Sequence, residues 1–313
     1  MKKTPIALFA YNRPRHIALA LETLAGCDRF KECDLYIFCD GPKRLDQKQA
    51  VEATRIVVRD WADRLKANVV EREQNLGLAC SISTGVTELC NTYGRVIVVE
   101  DDHALRPDFI DYMLQALDRY EECNDVYQIS GYMFPVDHPT SPDAFFLPLT
   151  TTWGWATWER AWKIFDWNAH NAIEKLTDDA IRRQFDLDDA YPFAEMLKKR
   201  LSGDNESWGI LWWWSVWQVS GLVLHPRKSL VWVGGFDGTG THCGIDTRQL
   251  DYNETFIQTP ALSYPITLPD TIYCDTTALS KVRNHLKEQK DKGRKIIRTL
   301  LKVIASIRHM ITK

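Results

Sequence analysis

Glu100, Asp101 and Asp102 stand consecutively behind an unbroken apolar run, Val96-Ile97-Val98-Val99. Three carboxylates this close raise one another's pKa unless a cation joins them. A hard divalent ion would do so, since Mg²⁺ or Mn²⁺ takes one or two carboxylates together with phosphate oxygens. Held there, it would neutralise a diphosphate leaving group. The plainer alternative is an acidic cap for a helix starting near Pro107-Asp108, because carboxylates favour helix N-termini. A second chemical feature is aromatic: eleven of the twelve tryptophans lie between Trp153 and Trp232. Indoles of this kind either pack a core or stack on the C–H faces of sugars, offering one N–H donor each. Trp212-Trp213-Trp214 on one element predicts at least one ring at a pocket or surface.

The elements that must position these groups follow from hydrophobic periodicity. Ile6–Ala10 and Leu35–Cys39 read as short buried strands, a third strand covers Ala67–Glu71, and Val96–Val99 is a fourth. Between them run helical patterns: from Pro14 through Ile17, Leu21 and Leu24, from Asp46 to Ala67, and from Leu78 to Tyr93. Strands alternating with helices predict an α/β fold with a mainly parallel sheet and ligands at the carboxyl ends of its strands. That edge holds Tyr11–Arg13, Asp40-Gly41 and Glu100–Asp102. No Gly-x-x-x-x-Gly-Lys-Ser/Thr loop is present, and Gly234-Gly235-Phe-Asp-Gly238-Thr-Gly240 misses the dinucleotide spacing. His-Glu-x-x-His and Gly-x-Ser-x-Gly motifs are also absent.

With these residues in place the chain resembles GT-A-type glycosyltransferases, nearest in pattern to N-acetylglucosaminyltransferase I and to bacterial sugar transferases of surface-polysaccharide clusters. The resemblance spans about residues 4 to 245. It rests on the order of Phe9-Ala-Tyr-Asn-Arg13-Pro14, Phe38-Cys-Asp40-Gly41, Asn75-Leu-Gly77-Leu78, Val98-Val-Glu-Asp-Asp102, Trp153-Gly-Trp155-Ala-Thr-Trp158 and the late loop Gly235–Cys243. It implies a GT-A-type nucleotide-sugar-binding fold and transfer from a UDP-sugar to a glycan or lipid-linked glycan, with inversion and with Mn²⁺ or Mg²⁺. Arg13 and Asp40 would contact phosphate and uridine, Asp101 the ribose, and Glu100 the donor sugar or the metal's water shell. Asp102 would hold the metal. Asp237, Thr239 and His242 would belong to a loop closing over the donor, with His242 adding a metal or phosphate contact. Trp153, Trp155 and Trp208 would face the acceptor. The base that deprotonates the acceptor hydroxyl would be Glu206, or Asp204 in a shifted register; helix capping by Asp204, Asn205 or Ser207 is the structural alternative.

Charge separates a last segment from the rest. The chain carries 39 Lys+Arg against 42 Asp+Glu, but residues 281–313 hold eleven basic and two acidic residues, a net +9, which leaves −12 on the other 280. So acidic a body argues against nucleic acid, whose affinity comes from phosphate neutralisation. Ile297, Leu300, Ile304, Ile307 and Ile311 recur every three or four residues, so 281–313 reads as a basic amphipathic helix for an anionic membrane surface. Packing on its own domain or a coiled coil would give the same pattern. The expected organisation is a nucleotide-sugar-binding half (1–130), a Trp-rich acceptor half of the same domain (131–250), a connecting segment (251–280) and this helix. Eight scattered cysteines without zinc spacing predict reduced thiols of a cytoplasmic protein, which the basic segment would dock peripherally on the inner face of the plasma membrane. A nucleotidyltransferase of related fold and a non-catalytic carbohydrate-binding or scaffold protein are the competing readings.

Overall fold

The computed structural model describes residues 3–137, 142–237, 256 and 260–290, without the side chains of 236 and 237. Strand β1 (Thr4–Ala10) leads through Pro14, at the first turn of α1 (Pro14–Ala25), to β2 (Cys33–Cys39). Then come α2 (Lys48–Leu65), β3 (Asn68–Glu71), α3 (Leu78–Tyr93), β4 (Arg95–Glu100), β5 (His103–Leu105) and α4 (Phe109–Arg119). The second half contributes β6 (Val126–Ser130), β7 (Ala144–Leu147) and β8 (Trp155–Trp158). Four helices follow in short order: α5 (Glu159–Trp162), α6 (Ala172–Lys175), α7 (Asp179–Phe185) and α8 (Phe193–Ser202). After α9 (Gly209–Gln218) come β9 (Leu222–Pro226) and β10 (Val231–Val233), and a helix over 276–290 is designated α10.

One eight-stranded sheet, in the order β3-β2-β1-β4-β8-β6-β9-β7, runs through both halves. β1 pairs in parallel with β2 and β4, β2 with β3, and β6 with β9; β8 runs antiparallel between β4 and β6, and β7 antiparallel to β9. Six of the eight strands therefore point the same way, and the mainly parallel sheet expected from the alternating pattern is present. β5 and β10 form a separate antiparallel pair beside it.

Burial explains why these strands read so clearly. Val96 to Val99 are fully buried, and every residue of β1 is buried, as befits strands covered on both faces. α3 starts after Gly77, whose φ of +76° suits glycine, and stops at Gly94, φ +84°, whose N–H returns to the Cys90 carbonyl at 2.7 Å.

The tryptophans mostly build cores. Trp155, Trp162, Trp208 and Trp212 pack on one side with Phe9, Phe38 and Val98. Trp213 and Trp214 belong to a second cluster with Phe185 and Leu197. Because α9 passes between two cores, Trp212, Trp213 and Trp214 are 0%, 2% and 0% exposed. Of the three, Trp213 also borders a cavity, as expected of at least one ring; the other two are enclosed because α9 is apolar all round.

α10 corrects the expected boundary at 280/281. Ala278, Leu279, Val282 and Leu286 are buried in the cluster of Trp213 and Trp214. Lys281 donates to the Asp137 carbonyl at 2.6 Å, Lys290 to the Asp189 carbonyl at 2.9 Å, and Arg283 pairs with Asp188 at 2.9 Å. Residues 281–290 are thus part of the domain: their apolar stripe fills a hole in it, and three of the eleven basic side chains fasten its rim. Residues 291–313 lie outside the described residues; among the described residues, no helix is long and apolar enough to cross a membrane. The seven cysteines among the described residues are all unpaired.

Candidate active site

The register of β1 with β4 sets Phe9 opposite Glu100, so the turn 11–13 and the triplet 100–102 leave the sheet side by side. Arg13, immediately before α1, reaches across. Its Nη1 donates to Asp102 Oδ2 at 3.0 Å and its Nη2 to Asp101 Oδ1, while the Tyr11 N–H approaches Asp101 Oδ2 at 3.4 Å. Burial works against the Arg13 charge, yet Asp101 and Asp102 raise its pKa above the usual value. One guanidinium faces three carboxylates. Burial, then Asp102 and Asp101, push the Glu100 pKa well up; burial also raises that of Asp101, against the opposing pull of Arg13. Among the described residues, the edge is short of positive charge.

Asp102 is the more accessible of the two aspartates, its side chain 13% exposed against 5% for Asp101. Its surroundings are built closely. The Gly234 N–H donates to the Asp102 carbonyl at 2.7 Å, and a Cβ at Gly235 would stand 2.5 Å from Asp102 Oδ2. Only glycine lets the turn after β10 lie against this carboxylate. His103, which the sequence reading passed over, closes the other side. Its Nδ1 accepts the Glu100 N–H at 3.0 Å, and burial lowers its pKa to about 4. The ring is therefore neutral near pH 7 with its proton on Nε2. That nitrogen is buried without a hydrogen-bond partner and stands 3.6 Å from Asp102 Oδ1. A histidine directly after three acids was the available signal.

Asp40 lies at the same edge but does a different job from the one expected. It is 5% exposed. Its two oxygens accept the backbone N–H groups of Gly41 (3.1 Å), Leu76 (2.9 and 3.1 Å) and Gly77 (3.0 Å). With its lone pairs so engaged, Asp40 fixes the entrance of α3 instead of meeting a base edge. Asn75 Nδ2 donates to the Gly41 carbonyl at 2.8 Å, and a Cβ on Gly41 would come within 2.6 Å of the Gln74 backbone. The two loops are clamped into one wall.

That wall borders an open groove of about 550 Å³, lined among others by Lys43, Asn75, Gly77, Trp167, Arg200 and Glu206. Tyr11 connects it to the triplet: its hydroxyl donates to Gln47 Oε1 at 2.5 Å and accepts the Lys43 N–H at 3.1 Å. Lys43 Nζ in turn pairs with Glu206 Oε1 at 3.2 Å, both side chains being more than half exposed. Asp204 is turned away toward the end of α8, accepting from Ser202 Oγ at 2.6 Å, and does not line the groove. None of Asp204, Asn205 and Ser207 caps α9, whose first residue follows Trp208 without a side-chain cap; Asn205 instead closes a local turn with the Ser207 N–H at 3.0 Å.

No protein-family model matches the chain, and no curated protein does. Solved structures do resemble it. S. aureus TarS 1-349 gives a TM-score of 0.45 at 12% identity, covering 76% of this chain and 62% of that one. A mannosyltransferase from Pyrobaculum calidifontis, in complex with GDP-Man and Mn²⁺, gives 0.40 at 14%, covering 70% and 74%. Glucosyl-3-phosphoglycerate synthase from Mycobacterium tuberculosis, with Mn²⁺, UDP-glucose and phosphoglyceric acid, gives 0.34 at 14%, covering 52% and 58%. Likeness at that level assigns this chain neither a family nor an activity.

The remaining expected contacts divide sharply. Trp155 and Trp208, 0% and 3% exposed, are core residues, not an acceptor surface: Trp155 meets Trp208, Trp162 and Trp212 in tilted contacts at 5.5, 5.8 and 6.2 Å. Trp153 is partly buried, edge-on to Tyr132 at 4.5 Å. Asp237 ends the turn that begins at Gly234, close in sequence to the glycine touching Asp102. Thr239 and His242 lie outside the described residues. Among those described, no group of three or more His, Cys, Asp or Glu could by itself hold a metal ion, so a cation at Asp102 would complete its shell with phosphate oxygens and water.

Proposed function

We propose that this protein is a glycosyltransferase that uses Mn²⁺ or Mg²⁺ to move a sugar from a UDP-sugar to a glycan or lipid-linked glycan, with inversion. The observation that carries the reading is the carboxylate excess at the edge of the parallel sheet: three acids, one guanidinium, and Asp102 the reachable member. This donor set fits a hard divalent cation, because one accessible carboxylate beside a diphosphate is how such ions are commonly held. When bound, the ion supplies charge neutralisation to the departing diphosphate.

The chain's own residues do the rest. Arg13 orients Asp101 and Asp102 through two N–H donors and adds a fixed positive charge. Asp40 holds the 74–77 wall, keeping the groove open beside the triplet. Lys43 presents a cation on the groove and restrains Glu206. Glu206, exposed on the groove rim, is the carboxylate placed to accept a proton from an acceptor hydroxyl, and Asp204 is not, which favours the Glu206 register.

A UDP-release screen across sugar nucleotides, with and without EDTA, tests this reading. One sugar nucleotide should support metal-dependent turnover, and Asp102→Asn should abolish it; metal-independent turnover in both chains would contradict the proposal. Cytoplasmic, peripheral attachment to anionic membrane is proposed for residues 291–313, which hold seven basic residues and one acidic. Liposome flotation of a chain ending at 290 tests it, since that chain keeps α10; undiminished flotation would refute the attachment.

A further inference from the structure

A second cavity lies at the opposite edge of the sheet. Ser220 and Gly221, immediately before β9, and Pro148, immediately after β7, line it. β9 runs parallel to β6 and β7 antiparallel to β9. These residues therefore sit at the amino end of the parallel strands, whereas Glu100–Asp102 sit at the carboxyl end. The cavity measures about 460 Å³, within the range of roughly 300–1,000 Å³ usual for small-molecule sites.

Its chemistry is specific. Trp213, Trp217, Lys175, Arg283, Gln184 and Gln218 line it, and no aspartate or glutamate does. Trp213 is 2% exposed, and its Nε1–H has no hydrogen-bond partner. The Nε–H of Arg283 is likewise buried and unpartnered, although its Nη1 pairs with Asp188 at 2.9 Å. Buried donors are almost always satisfied, and two unmet donors beside one cavity point to a ligand that accepts hydrogen bonds. The rings are held firmly: Trp213 stacks on Phe185 at 5.6 Å, and Trp217 on Trp214 at 5.5 Å. Lys175 Nζ donates to Gln218 Oε1 at 2.8 Å, which keeps both at the cavity. The partly exposed Trp217 ring for a C–H surface, the unmet Trp213 N–H, amides for hydroxyls and two cations without a lining acid describe one ligand class.

We infer that this cavity is a second binding site, distinct from the acid edge, for a saccharide bearing a carboxylate or phosphate. It serves to hold a charged glycan away from the reacting centre.

The full chain, ¹⁵N-labelled and free of nucleotide, can be titrated while the indole N–H resonances are followed, with Trp217→Phe assigning one of them. The probes are glucuronic acid, glucose 6-phosphate, glucose and inorganic phosphate. Saturable shifts of the Trp213 and Trp217 indoles with one of the two charged sugars are expected, at least threefold tighter than with glucose or inorganic phosphate. Lys175→Gln, a change at an exposed side chain, should weaken that binding at least fivefold. The site is refuted if neither charged sugar shifts these indoles, if glucose or phosphate alone binds as tightly, or if Lys175→Gln leaves affinity unchanged. Because nucleotide and metal are absent, failure of UDP binding at the acid edge would not alter the outcome.

Discussion

Two buried acidic sites occupy the same edge of the sheet, four strands apart, and they are finished to different degrees. At the far end Asp143, next to β7, accepts the Ser263 N–H at 3.2 Å, the Thr267 N–H at 2.9 Å and its hydroxyl at 2.8 Å, and pairs with Arg227 at 3.1 Å; the Ser263 hydroxyl also donates to it. Burial alone would raise its pKa, but these donors hold it below the ordinary value. At the end of β4, burial pushes Glu100 and Asp101 up, neighbouring carboxylates add to it, and the pull of Arg13 does not offset it. Burial of an acid is therefore not the sign of function. Of these two sites, the β4 cluster is the one the protein leaves under-compensated.

The contrast can be broken from either side. The largest effect should come from Asp102→Asn, expected to cost roughly a thousandfold in sugar transfer, about 4 kcal/mol of barrier, while the melting temperature holds or rises as like-charge repulsion is relieved. Steady-state kinetics paired with calorimetry would check it, and a large loss of stability would put Asp102 in the class of Asp143. Asp143→Ala should do the reverse, lowering unfolding free energy by about 3 kcal/mol by stranding Arg227 and its other donors, with turnover per folded molecule unchanged. Glu206→Gln should reduce kcat by about a hundredfold with little change in KM for the donor; equal loss in Asp204→Asn would move the base to the other register.

The smallest effect is in pH dependence. The folded chain binds a proton at Glu100 more readily than the unfolded chain does, so Glu100 subtracts stability as pH rises from the ordinary carboxylate range through its raised value. Asp143 has the opposite sign: its contribution is complete above the ordinary aspartate range and is lost as pH falls through its lowered value. Glu100→Gln should accordingly gain on the parent protein as pH increases, measured by urea titration at several pH values. The two buried histidines with pKa lowered to about 4, His103 and His225, are common to both chains and cancel in the difference.

The first hundred residues were the legible part. Each strand and helix there is a local pattern: the expected Leu78–Tyr93 helix coincides with α3, and the expected Val96–Val99 strand lies within β4, one residue longer at each end. The approach of Arg13 to the triplet also follows from strand ends meeting at one edge. Asp40 misled because residue type and position cannot show which donors have claimed a carboxylate; that depends on a loop 36 residues away. Trp155 and Trp208 misled for a related reason. An indole packed against another indole and one facing a sugar have the same sequence signature. Two indole N–H groups of this core find partners far along the chain, Trp162 at Thr87 and Trp212 at Gln128. Basic charge obscured α10, where Val282 and Leu286 bury a stripe beneath lysines that extend along it toward carbonyls.

The central claim is that the β4 edge holds a nucleotide diphosphate through a cation on Asp102. Its most direct test is thermal unfolding of the parent protein and of Asp102→Asn with UDP, with Mn²⁺, and with both. UDP and Mn²⁺ together should stabilise the parent by about 2.7 kcal/mol at a hundredfold excess over Kd, neither alone should do so, and Asp102→Asn should show no joint effect. Equal stabilisation of both chains, or stabilisation by UDP with EDTA present, would contradict it.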